Sequence, residues 1–218
     1  MAKLVWDQTG QRTYETGVDR GVLFFPNDDG KYVNGVAWNG LTAVNESPSG
    51  AESTPLYADN IKYLEIRAAE DFGATIEAFT YPEEFEACDG SASLGQGIKI
   101  GQQERVPFGL CYRTILGNDV QANNYGYKLH LIYGATASPS EKNYATVNDS
   151  PEAITFSWEL TTTPIEVDGF KPTASLTINS VDVKPDVLAA IEALLYGTES
   201  SEPSMPTPNE IKAILDEH

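Results

Sequence analysis

Tyr127-Lys128-Leu129-His130-Leu131-Ile132-Tyr133 and, further on, Ile154-Thr155-Phe156-Ser157-Trp158-Glu159-Leu160 decide how this chain folds. The first run reads as a strand with bulky groups on both faces. A Ser/Pro loop from Ala135 to about Asn143 follows it. The second run alternates with period two before a Thr161-Thr162-Thr163-Pro164 brake. Ile154, Phe156, Trp158 and Leu160 point one way, while Thr155, Ser157 and Glu159 point the other. One face is a core and the other is polar, and nothing catalytic sits between them. The pattern implies a β framework whose function is carried by its surfaces rather than by a pocket.

Working outward, turn signals cut the first 180 or so residues into short apolar runs. Gly21-Val22-Leu23-Phe24-Phe25 runs into the turn cluster Pro26-Asn27-Asp28-Asp29-Gly30. Residues 32–44 carry Val33, Val36, Trp38 and Leu41, broken by Gly35 and Gly40, a pattern compatible with a bulge. Residues 45–60, with Pro48, Gly50 and Pro55, read as a polar, acidic loop, long enough to suggest a functional role. Residues 61–68 and 75–80 read as strands holding Glu65 and Glu77. Residues 82–88 read as a short helix opened by Pro82, with acids in its first turn where the helix dipole favours them. Residues 105–116 and 174–183 complete the strands.

The C-terminal part differs. Pro185 opens a helix with Val187, Leu188, Ile191, Leu194 and Leu195 on one stripe, closed by Gly197. A Ser/Pro/Glu-rich linker covers residues 198–206. Thr207-Pro208-Asn209-Glu210 is then a capping box starting a short helix with Ile211, Ile214 and Leu215. Such a helix is not stable alone in water, so these three residues need a surface, on this subunit or on a neighbour. The division expected is a β domain over residues 1–183 and a helix, linker and docking helix over residues 184–218.

The chain has 218 residues, and its 32 acids against 14 bases give a net charge of −18. That balance repels nucleic acid and anionic membranes. No run of about 18 apolar residues is present, so no membrane span is expected. The opening Met1-Ala2-Lys3-Leu4-Val5-Trp6-Asp7 has no apolar region typical of a signal peptide. Cys88 and Cys111 could pair, though buried free thiols are the expectation. The sequons Asn45-Glu46-Ser47 and Asn148-Asp149-Ser150 read as chance. Gly95, Gly97 and Gly101 do not form a phosphate loop, because no helix follows them. Of the two histidines, His130 lies inside a strand and His218 ends the chain, leaving no metal spacing. No nucleophile elbow is present. Neither an enzymatic role nor a cofactor is expected. Glu65, Glu77 and Glu159 read as sheet-face charges or as parts of an acidic wall.

Several stretches together resemble the major tail protein, or tail tube subunit, of long-tailed, non-contractile bacteriophages of Gram-positive hosts. They are Gly35-Val36-Ala37-Trp38-Asn39-Gly40-Leu41, Ala58-Asp59-Asn60-Ile61-Lys62-Tyr63-Leu64, and Ala74-Thr75-Ile76-Glu77-Ala78-Phe79-Thr80-Tyr81-Pro82-Glu83-Glu84-Phe85. Gly109-Leu110-Cys111-Tyr112-Arg113-Thr114, Gly126-Tyr127-Lys128-Leu129-His130-Leu131-Ile132-Tyr133-Gly134, residues 146–164 and Leu194-Leu195-Tyr196-Gly197 continue the resemblance. It implies a mainly β fold, a β-sandwich or half-barrel with one flanking helix over residues 82–88. It also implies assembly as hexameric rings stacked into a hollow tube, each subunit lending about four strands to a continuous inner barrel.

Strands about 4.8 Å apart, tilted by about 40°, occupy roughly 6.3 Å each of circumference. Six subunits then give a bore of about 40 Å, wide enough for duplex DNA. Six copies at −18 carry −108 formal charges per ring. An acidic lining keeps DNA from being gripped, so Glu65, Glu77 and Glu159 are the candidate lumen acids. Glu46, Ser47, Pro48, Glu52 and Tyr57 are the candidate inter-ring loop. The arm of residues 1–17 and the docking residues Ile211, Ile214 and Leu215 are candidates for contacts between neighbours.

The partners the resemblance implies are other copies of the chain, a tape measure protein inside the lumen before ejection, and tail terminator and distal tail proteins at the ends. Double-stranded DNA passes without specific binding, and no membrane is involved. The location implied is the virion tail, after synthesis in the host cytoplasm. Two alternatives stand beside this reading. One is a monomeric β-sandwich for carbohydrate binding or adhesion, with Tyr57, Tyr125 and Tyr144 as stacking aromatics. The other is an acidic glycosidase.

Overall fold

In the computed structural model, which describes residues 3–146 and 153–217, alternation and turn chemistry lay down fourteen strands and three helices. The strands are β1 (Thr13–Pro26), β2 (Tyr32–Trp38), β3 (Leu41–Glu46), β4 (Ser49–Gly50), β5 (Ser53–Ala58), β6 (Ile61–Arg67), β7 (Glu70–Asp71) and β8 (Gly73–Ala78). After the one-turn α1 (Phe85–Cys88) come β9 (Ala92–Gly95), β10 (Ile98–Ile100), β11 (Phe108–Asn118), β12 (Ala122–Ala137), β13 (Phe156–Thr162) and β14 (Ser175–Asn179). The helices α2 (Pro185–Tyr196) and α3 (Pro208–Glu217) complete the chain.

The main sheet runs β2-β1-β11-β12-β13-β8-β3, with β14 also paired to β12. It is mainly antiparallel β folded over on itself as a β-sandwich. The fold-over happens inside β12. Residues 128–132 of β12 pair with β14, whereas Ala135, Thr136 and Ala137 pair with β13. Gly134 sits between these segments at φ +58°, opposite a register shift in β11. A Cβ there would stand 2.2 Å from the Thr163 carbonyl oxygen, so only glycine fits this bulge. At the other end, the short turn through Asn39 and Gly40 carries the chain from β2 to β3 and across to the second leaf.

Two cores result. Leu23, Trp38, Ile76, Phe108, Leu110, Ile132, Trp158 and Leu160 fill the space between the leaves. Val22, Phe24, Cys111, Leu129, Leu131, Tyr133 and Ile178 lie on the outer face of the first leaf, under Val187, Ile191, Leu195 and Ile211 of the C-terminal helices. This is why residues 127–133 carry bulky groups on both faces: the strand is buried on both. Residues 156–160 alternate because their leaf is buried on one face only.

The helix over residues 82–88 does not flank the sandwich. It shortens to the single turn α1 and plugs the inner core, its Phe85 ring centred 4.5 Å from Trp38, 5.0 Å from Trp158 and 5.4 Å from Phe108. The flanking helices are α2 and α3. The capping box at α3 closes reciprocally: the Thr207 N–H donates to Glu210 Oε2 at 2.9 Å, and the Glu210 N–H to Thr207 Oγ1 at 3.3 Å. The linker before it is pinned rather than free, since the Ser204 N–H donates to the Leu194 carbonyl and Met205 bridges to Tyr32.

The largest departure from the sequence-based expectation lies in residues 45–60, which form strand rather than loop. Glu46 pairs with Ala74, the Ser47 N–H donates to the Gly73 carbonyl, and β4 pairs with β7. Bonds between residues 51 and 69 and between 52 and 68 then lead into the β5–β6 ladder. The β3–β8 pair thus continues out of the body as one two-stranded ribbon, whose outer dozen or so residues per strand reach roughly 40 Å. Its tip is Asp59-Asn60, both at positive φ (52° and 64°), the two-residue turn whose twist matches a hairpin. Gly95 and Gly97 lie in and after β9 of the small β9–β10 hairpin. Asn148-Asp149-Ser150 and His218 lie outside the described residues.

Candidate functional site

Three exposed features stand out among the described residues. The first is the outer face of the leaf β3, β8 and β13. Register places Asn45, Thr75 and Glu159 in one row across it, and Ala43, Glu77 and Ser157 in the next. Glu77 and Glu159 are therefore diagonal neighbours on adjacent strands. The three strands contain no Lys or Arg. None of the three helices packs on this face, because α1 is inside the sandwich and α2 and α3 cover the other leaf. Glu65 is not part of it: it lies on the ribbon, 2.7 Å from Lys62 Nζ.

The second feature is the ribbon itself. Opposite pairs put Leu56 with Leu64, Thr54 with Ile66, and Ala58 with Ile61 on one face. Tyr57 with Lys62, Pro55 with Glu65, and Ser53 with Arg67 occupy the other. The first face is apolar, yet Leu56 is 43% exposed, Leu64 41%, Ile66 56% and Ile61 62%. An isolated two-stranded ribbon is marginal in water, and exposed apolar faces commonly mark contact surfaces.

Of the candidate loop residues, Ser47, Pro48 and Glu52 lie exposed along the ribbon's base and Tyr57 on its polar face. Glu46 is exposed as well, its side chain 41%, but it is tied back to the body by a 2.6 Å bond accepted from the Tyr112 hydroxyl. Sequence reasoning missed Leu56, Ile61, Leu64 and Ile66. The signal for them was there, alternating residues either side of a two-residue Asp-Asn turn.

The third feature is the chain ends. Leu4, Val5 and Trp6 are exposed, just before residue 10, which is tied to the β11–β12 turn through Asp119 and Asn118. On α3, Ile211 is buried within this subunit and Ile214 packs on the same core, while Leu215 is 52% exposed.

The clefts offer less. A groove of about 610 Å³ beside the β11–β12 hairpin is lined by Arg113, Asn123, Tyr125, Tyr127 and Ser180. Its chief polar groups already serve one another. Arg113 grips both Asp19 oxygens at 2.7 and 2.5 Å, and the Tyr127 hydroxyl donates to Glu192 at 2.7 Å. The Arg113 guanidinium bonded to Asp19 holds that carboxyl below its usual range, against the opposing pull of burial. Among the described residues no cluster of His, Cys, Asp and Glu could hold a metal ion. Cys88 and Cys111 are free thiols, one in each core, and burial pushes both up to about 12.

No protein-family model and no curated protein matches the chain. Among solved structures it aligns with a chain from an extracellular contractile injection system, a PVC sheath–tube complex in the extended state seen by cryo-electron microscopy. The alignment covers 73% of this chain and 88% of the other, at 12% identity and a TM-score of 0.33.

Proposed function

We propose that this protein is a non-enzymatic, self-assembling tail tube subunit, forming hexameric rings that stack into a hollow virion tail through which double-stranded DNA passes. The observation that carries the reading is the ribbon, an apolar-faced arm that this chain leaves uncovered and that a second copy can cover. The bare leaf supports it from the other side. A sheet face without bases, holding Glu77 and Glu159 among Ser, Thr and Asn, suits a bore along which a polyanion slides rather than sticks. In this reading the ribbon makes the contact between rings, and the exposed Leu4-Val5-Trp6 segment and Leu215 contact neighbouring copies. A tape measure protein occupies the lumen before DNA does, and terminator and distal tail proteins close the ends.

Electron microscopy of the purified protein tests the reading. Rings or hollow tubes are expected for the native chain, and only unassembled, folded monomers for Leu56→Asp combined with Leu64→Asp. Native protein that stays monomeric at high concentration, or a double variant that still assembles, overturns it.

A further inference from the structure

We infer that His130 is a proton-operated latch between the two leaves of the sandwich, fastening the root of the ribbon when its Nδ1 takes up a proton. The inference concerns the root alone and holds whatever the ribbon touches.

The histidine projects from β12 with its side chain 13% exposed, stacked flat on Tyr112 of β11 at 4.7 Å between ring centres and 3° between planes. Its Nε2 lies 2.9 Å from Thr114 Oγ1 and 3.5 Å from Glu15 Oε1 of β1. Its Nδ1 lies 3.5 Å from Thr177 Oγ1 of β14 and 3.6 Å from Glu46 Oε1 of β3. Those are the ionisable neighbours from every packed strand, together with Lys128 on the same strand, which is held by Glu15 at 2.6 Å.

Counting protons fixes the ring's state. A hydroxyl has one proton to give, and Thr114 gives its own to Glu15 at 2.5 Å, as Tyr112 gives its own to Glu46 at 2.6 Å. Thr114 Oγ1 can therefore only accept from the ring, so Nε2 carries the hydrogen in the neutral form. Nδ1 then carries a lone pair, with the Thr177 hydroxyl 3.5 Å away. In the neutral ring its lone pair faces the Glu46 carboxylate across 3.6 Å, which is not a hydrogen bond. Protonation turns that opposition into attraction, and closing the contact needs a movement of only about half an ångström.

Glu46 is where the ribbon leaves the body. It is the last residue of β3, and the next N–H already belongs to the ribbon ladder. Its tie crosses to β11 and β12 of the other leaf, so its strength sets how firmly the root is held. The carboxyls are in the right state to respond. Contact with the protonated ring of His130 lowers Glu46, against burial and with help from Tyr112, and Glu15 is lowered despite burial by Lys128 and Thr114. Burial and Glu46 push the Tyr112 phenol far up.

Amide hydrogen exchange at residues 47–52 and 68–73, corrected for intrinsic rates, tests the latch at about pH 5.5 and about pH 8. Protection at the root in the native protein should be roughly threefold greater at the lower pH. That difference should vanish in both Glu46→Gln and His130→Gln. Equal protection at the two pH values, or a difference that survives Glu46→Gln, overturns the inference. Should a variant fail to fold, nitrogen NMR of the native His130 ring decides instead. A neutral ring bearing its hydrogen on Nε2 agrees with the latch, and one bearing it on Nδ1 overturns it.

Discussion

The two leaves of the sandwich share one inner core and differ in what their outer faces do. On the β1, β11, β12 and β14 side the outer face is apolar, and α2 and α3 bury it. On the β3, β8 and β13 side it is polar and acidic, and none of α1, α2 and α3 covers it. Stability therefore comes from the space between the leaves and from the helix layer, since burial of apolar area is the main favourable term in folding. The bare face contributes little to that term. Its residues are not set by packing, and its three strands hold no Lys or Arg.

The comparison breaks most easily at the shared core. Trp158 is fully buried, packs edge-on to Trp38 and Phe85, and donates from Nε1 to Asp89 at 3.1 Å. Trp158→Ala is expected to cost about 3–5 kcal/mol in urea unfolding, enough to unfold many domains. A loss below about 1 kcal/mol would mean that the leaves are not held together there. Next in size is the helix layer. Ile211→Asp places a carboxyl where α3 meets the covered leaf and should cost about 2–4 kcal/mol, seen as a fall in the thermal midpoint. An unchanged midpoint would show that α3 adds nothing to this subunit's stability and would leave its docking to a neighbour.

How much of this was legible in the sequence followed from how local each signal is. The period-two run and the Thr207–Glu210 capping box needed only their own residues, and both took the form their pattern dictates, except at Ile154, which lies exposed ahead of β13. Residues 61–68 read as strand, but the other side of the ribbon, residues 45–60, did not, because Pro48, Gly50 and Pro55 are poor strand formers and the polar residues around them mimic a loop. With one side read as loop, the pairing of its apolar row with Ile61, Leu64 and Ile66 across the Asp59-Asn60 turn went unseen. The burial of α1 was hidden for another reason: the rings around Phe85 come from positions as distant as Trp38 and Trp158. The His130 cluster is further still from any local pattern, joining residues 15, 46, 112 and 130 from four strands.

Acid sharpens the comparison by acting on one set of carboxyls. Glu15, Asp19, Glu46 and Glu210 are all lowered in the folded state, each by a bonded partner on or across the covered leaf. A carboxyl with a depressed folded pKa stabilises above its unfolded value and loses that contribution as pH falls through the folded one. Stability should hold above about pH 5 and decline towards about pH 3, by less than about 1 kcal/mol per group because all four are partly exposed. Replacing Glu15 and Glu46 with Gln should flatten the decline. An acid slope unaffected by those changes would place its origin elsewhere in the molecule.

The smallest effect on stability belongs to the bare face. Glu77→Lys with Glu159→Lys, on a surface away from core and caps, should shift unfolding by no more than about 0.5 kcal/mol for each residue. The same pair reverses the sign of the face. In assembled tubes with this leaf lining the bore, DNA that the native protein leaves alone should be retained at low salt and released as salt rises, the signature of phosphate pairing and counterion release. A matched reversal at Glu199 and Glu202, in the segment between α2 and α3, controls for total charge. Retention by the Glu77 and Glu159 variant alone assigns the face to the bore. Equal retention by both would mean that only net charge matters, and the distinction between the leaves would then be one of stability alone.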